Sequence, residues 1–102
     1  LHWVRQILAV RRQYPVFGNG SFVQHGADHD EVLAFTRSNG EQTVLCLMNL
    51  SGRPVSTSIS VPDYAGWHAT EITGGAEFPD IVADYPVTLA ARGFLWIALT
   101  PP

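Results

Sequence analysis

His25, Asp28, His29, Asp30 and Glu31 fall within one seven-residue stretch, HGADHDE. Two imidazoles and three carboxylates are residue types that bind zinc or exchange protons. The stretch lies between two segments that read as strands. Short polar residues gather there for backbone reasons, because they form turns. Successive residues of one loop also rarely converge on a single ion. HGADHDE therefore reads as a hairpin connection, and no metal site is assigned.

The other candidates resolve in the same way. FGNGSF contains Gly18 and Gly20, but a phosphate-binding loop needs its glycines after a strand and before a helix. Here the order is helix, glycines, strand, so the glycines serve a change of chain direction. In TGGAEFPD, Glu77 and Asp80 are a conceivable glycosidase pair. No segment supplies a cleft or further substrate-positioning residues, so a solvated loop is expected. No serine lies in a G-x-S-x-G context. Cys46, the single cysteine, lies in an apolar run and reads as a buried thiol. Among the aromatics that could stack on sugar rings, Trp67 and Tyr64 are the candidates for an exposed platform. Tyr85 and Phe78 are weaker ones, Trp96 is expected in the core, and Trp3 is expected to pack helix to sheet. No catalytic residue emerges, and no cofactor is expected.

The elements that must hold these residues are mostly strands. Residues 1–14 place Leu1, Val4, Ile7 and Leu8 at helical spacing. Pro15 forces Tyr14 out of the helical region and ends the helix. No capping residue precedes Leu1, so the helix is expected to begin earlier in a longer chain. Beyond Gly20, period-two segments rich in Val, Ile, Thr and aromatics predict strands at Ser21–His25, Val32–Arg37, Thr43–Leu50, Val55–Val61, Trp67–Glu71, Val87–Ala90 and Phe94–Leu99. SNGEQ predicts a hairpin turn in which Asn39-Gly40 supplies positive φ. VSTSISV alternates apolar and hydroxyl residues, as a half-buried strand near an edge does. TVLCLMNL and FLWIAL are apolar on both faces and should be central. Six or seven short strands predict an all-β fold, an antiparallel β-sandwich with Greek-key-like connections. One α-helix precedes it.

At 102 residues a single core is expected. The net charge is −3, and all six basic residues are scattered arginines apart from Arg11 and Arg12. That distribution argues against a nucleic-acid footprint and against a basic membrane patch. No apolar run approaches a membrane span, and a cytoplasmic location is expected.

Taken in order, LAVRRQYPVFGNGSF, VLAFTRS, TVLCLMNLSGRPV, GGAEFP and LAARGFLWIAL resemble the C-terminal end of glycoside hydrolase family 13, the α-amylase family. The likeness is strongest to its trehalose synthase branch. The resemblance implies a parent with a (β/α)8 barrel that interconverts maltose and trehalose by retaining glucosyl transfer. The catalytic carboxylates would lie on the barrel, upstream of residue 1. Residues 1–20 would be the last barrel helix and the junction, and residues 21–102 the non-catalytic C-terminal sandwich. Trp3, Val4, Ile7 and Leu8 would pack on the barrel, with Pro15, Gly18 and Gly20 as the joint. The implied partners are that barrel, further copies of the enzyme and a maltokinase. A sugar-binding role would rest on Trp67 and Tyr64.

Overall fold

Strand formation follows the period-two pattern over most of the chain. The computed structural model describes residues 21–40 and 42–102. The expectations for Trp3, Val4, Ile7, Leu8, Pro15, Gly18 and Gly20, and for the helix they belong to, lie outside the described residues. The strands are β1 (Ser21–His25), β2 (Val32–Ser38), β3 (Thr43–Asn49), β4 (Val55–Ser60), β5 (His68–Glu71), β6 (Glu77–Phe78), β7 (Asp84–Leu89) and β8 (Phe94–Thr100). A 3-10 turn, Pro62–Tyr64, separates β4 from β5. No helix among the described residues is long and apolar enough to cross a membrane.

Six strands form one antiparallel sheet in the order β1-β2-β3-β8-β5-β6, and β4 and β7 form a second. The chain leaves the large sheet after β3, returns for β5 and β6, leaves again for β7, and comes back as β8 between β3 and β5. TVLCLMNL and FLWIAL do supply the two central strands. Burial between the sheets joins Ala34, Leu45, Leu47, Ile97 and Leu99 of the large sheet to Val55, Ile59, Tyr85 and Leu89 of the small one. The result is the expected sandwich.

The structure departs from the sequence reading in four places. β7 begins at Asp84 rather than Val87 and includes Pro86. Proline is tolerated because β7 pairs only with β4 and keeps one edge free. β6 has two residues, too few to show a period. Among the described residues of the β2–β3 turn only Gly40 takes positive φ, at 89°. Asn39 contributes through its side chain: Gln42 N–H donates to Asn39 Oδ1 at 2.8 Å, and Asn39 N–H donates to the Gln42 carbonyl at 3.1 Å. Finally, Trp96 belongs to central β8 but lies outside the main core, packed on Val44 and Cys46. It points to the other face of the large sheet.

Candidate functional site

That outer face carries apolar side chains that the main core does not absorb. Register opposes Phe35 to Cys46, and Cys46 to Trp96. Residues that share a face recur every second position. Leu45 and Leu47 therefore enter the core between the sheets, while Val44, Cys46 and Met48 point away from it. Val44 and Cys46 are buried there, with Phe35, Ile72 and Trp96 packed against them. Phe22 stacks on Phe35 with ring centroids 4.8 Å apart, and Phe94 lies 5.3 Å from Trp96. Phe22 and Met48 are 55% and 41% exposed. Burial pushes the Cys46 thiol up to about 12, against the lowering pull of Arg37. A thiol held protonated and enclosed is no nucleophile. Apolar side chains packed on one another line this face.

The signal for it was present in sequence, since β3 and β8 carry no polar face. A sheet that is apolar on one side needs one partner layer. A sheet that is apolar on both sides needs two.

Trp67 and Tyr64 form a different arrangement. The 3-10 turn positions Tyr64, and Trp67 N–H donates to its carbonyl at 3.0 Å. Gly66 N–H donates to the Ile81 carbonyl, and Ile81 N–H returns a bond to the Trp67 carbonyl, at 2.7 and 2.9 Å. The two rings meet edge to face, with centroids 5.0 Å apart and planes at 90°. Both are half-buried against the core. His25 abuts Tyr64 at 6.3 Å, and its Nε2 lies 2.9 Å from Thr36 Oγ1. Burial lowers the His25 pKa while Asp63 draws it up. These rings make a packed corner, and they do not present a common plane to a sugar.

The remaining candidates are held by local bonds. HGADHDE spans the end of β1 and the connection to β2. Ala27 bridges to Ile59, Asp28 N–H donates to the Ser58 carbonyl at 3.1 Å, and Glu31 N–H donates to His29 Nδ1 at 3.1 Å. Among the described residues no group of three or more His, Cys, Asp or Glu is placed to hold a metal. Asp80 Oδ1 lies 3.0 Å from His68 Nδ1, and Glu77 sits opposite Thr70 on β6. Tyr85 is a core residue whose hydroxyl donates to the Pro79 carbonyl at 2.7 Å. Phe78 is half-buried against the same core.

The sequence reading passed over Asn49. This side chain is buried, and its Nδ2 donates to the carbonyls of Arg53 at 2.7 Å and Ala90 at 3.0 Å. Its Oδ1 accepts from the N–H and Oγ of Ser51 at 3.0 and 2.7 Å. One amide thus ties the turn after β3 to the turn before β8. A buried asparagine in the NLSGR turn gives only a weak signal of this, because its second partner lies far along the chain.

A family model described as the C-terminal domain of maltogenic amylase matches residues 22–96. The chain is 36% identical over 107 residues to a trehalose synthase from a Pimelobacter species, covering 100% of this chain and 19% of that protein. It is 38% identical over 104 residues to a trehalose synthase/amylase from Mycobacterium tuberculosis, covering 98% of this chain and 17% of that protein. The chain thus spans less than a fifth of the length of either relative. In fold it is similar to AmyP solved with maltose, with a TM-score of 0.86 at 13% identity over 99% of this chain and 20% of that one. It is also similar to an Anoxybacillus α-amylase, with a TM-score of 0.81 at 16% identity over 99% and 22%.

Proposed function

The chain belongs to the maltogenic amylase C-terminal domain family, and from that premise we propose that it stabilises the catalytic barrel of an enzyme that interconverts maltose and trehalose. The observation that carries the reading is the outer face of the six-stranded sheet. Phe22 and Met48 stand 55% and 41% exposed there, beside the partly buried Phe35 and Trp96 and around Val44 and Cys46, which are already buried. Apolar surface of this kind is stabilised by a second layer, at about 1.5–3 kcal/mol for each large side chain fully buried. The catalytic carboxylates belong to the barrel in this reading, which agrees with a thiol and an aromatic corner that are both committed to packing.

Two measurements test it. Phe22→Ser and Met48→Gln are made in the full-length enzyme and in the 102-residue chain. The expected result is a melting temperature lowered by several degrees in the enzyme and little changed in the chain. No difference between the two contexts would refute the covering role. The full-length enzyme should also convert maltose to trehalose while the chain alone does not. Turnover by the chain, or an enzyme that leaves maltose untouched, contradicts the assignment.

A further inference from the structure

Asparagine is among the chemically labile residues, because the next backbone nitrogen can close a five-membered ring on its side-chain carbon, Cγ. A side chain on the following residue hinders that closure, and glycine has none. Asn39 is followed by Gly40 in the β2–β3 turn. Asn39 N–H donates to the Gln42 carbonyl at 3.1 Å, and the return bond runs to the side chain, with Gln42 N–H donating to Asn39 Oδ1 at 2.8 Å. That bond holds the carboxamide over the turn and draws electron density from Cγ. Gly40 has φ of 89°, and a Cβ added there would meet nothing within 4 Å. Asn39 is half-buried and Gly40 exposed, so water reaches the turn. Asn49 is the contrast. It is 2% exposed and is followed by Leu50, and the Arg53 and Ala90 carbonyls and Ser51 fix its amide.

We propose that Asn39 is a site of spontaneous deamidation in the folded chain. The Gly40 nitrogen attacks Asn39 Cγ. Its proton passes to the side-chain nitrogen, which leaves as ammonia, and a succinimide ring remains. One water then opens the ring. Opening at Cγ gives aspartate, which keeps an oxygen to accept from Gln42 N–H. Opening at the Asn39 backbone carbonyl carbon gives isoaspartate, in which the main chain runs through Cβ and Cγ. Asparagine and water become acid and ammonia, and no oxidant or further reactant is consumed. The isoaspartate form puts one additional atom into the main chain of the turn. β2 and β3 are registered next to it, Ser38 against Thr43 and Arg37 against Val44, and register depends on the length and geometry of the turn. The aspartate product leaves the hairpin as it is, and the isoaspartate product loosens it.

The test uses the full 102-residue chain, held at mildly alkaline pH, beside a second sample in denaturing urea. Far-UV circular dichroism and a urea transition record that the first sample stays folded. Fragment mass spectrometry reads each asparagine separately, which sets Asn39 apart from Asn19, where the same dipeptide occurs outside the described residues. Methyl transfer by an isoaspartate-specific methyltransferase distinguishes the two acid products. The expected result is conversion at Asn39 in the folded sample, to both aspartate and isoaspartate, with Asn49 intact. The chain carrying isoaspartate at position 39, once separated, should melt several degrees below Asn39→Asp. Conversion of Asn39 in urea alone overturns the proposal, since the hairpin would then shield the amide. So does an Asn49 that converts as fast as Asn39 in the folded sample, or an isoaspartate form that melts with Asn39→Asp.

Discussion

The side-chain amide of Asn49 donates to the carbonyl of Ala90 at 3.0 Å, across 41 residues of sequence. It is the only polar side chain of β3 committed to holding two turns together, and it is 2% exposed. Asn49→Ala takes the acceptor from the Ser51 N–H, while the Arg53 and Ala90 carbonyls each keep one donor, the Ser51 hydroxyl and the Gly93 N–H. An unsatisfied buried polar group costs about 1–3 kcal/mol, so urea unfolding should show a loss of that order. Asn49→Asp should be worse, because a carboxylate cannot donate to those carbonyls. A loss below half a kcal/mol would mean that water replaces the amide.

Gly93 adjoins the same junction. Its N–H donates to the Ala90 carbonyl at 2.8 Å, and its own carbonyl accepts from Asn49 N–H at 2.8 Å. A Cβ at this position would stand 2.8 Å from the Ala90 carbonyl oxygen. Backbone cannot move aside as a side-chain tip can, so Gly93→Ala should destabilise by about 1–3 kcal/mol. Gly40→Ala has open space around it but φ of 89°, and should lose about 1 kcal/mol. Chemical denaturation of both variants checks the order.

His25 makes stability depend on pH. Burial lowers its pKa from the ordinary 6.5, and the Asp63 carboxylate offsets part of that. The groups facing it are the Thr36 hydroxyl and the Tyr64 ring. A base with a depressed folded-state pKa binds fewer protons folded than unfolded, so its contribution is fully present above 6.5 and is lost as pH falls through the folded value. Stability should decline on acidification below 6.5, and His25→Gln should flatten that decline. An unchanged slope in the variant would place the dependence elsewhere.

Cys46 should be silent until the domain opens. It is 2% exposed with its thiol pushed up to about 12, so thiolate is scarce at neutral pH and access is blocked. Labelling with a thiol reagent should be slow under native conditions and complete in denaturant. Fast native labelling would show that the outer face opens readily.

Maltose should leave the Trp67 environment unchanged. Trp67 and Tyr64 cross at 90° and pack on the core, whereas sugar stacking needs an open ring face. Perturbation of the Trp67 signal at millimolar maltose, absent in Trp67→Phe, would restore the sugar-binding reading.

Much of the fold was legible because it is local. Alternation in VSTSISV marked β4. The lack of a polar face in TVLCLMNL and FLWIAL marked β3 and β8 as central. Gly40 was recognisable as the residue that permits positive φ. The strand containing Pro86 was cut short for the same reason. Proline signals a break, and only the pairing of β7 with β4 alone shows why it is tolerated there.

What the chain order alone settled is the menu of strands and their central or peripheral character. These follow from side-chain period and turn chemistry, which act over a few residues. Tertiary structure alone decided which apolar face became the core, that Trp96 lies on the other one, that Trp67 meets Tyr64 edge-on, and that Asn49 reaches Ala90. Period two divides a strand's residues into two faces without saying what covers either. The pairing register and the opposing sheet supply that information, and both are built from contacts between residues far apart in the chain.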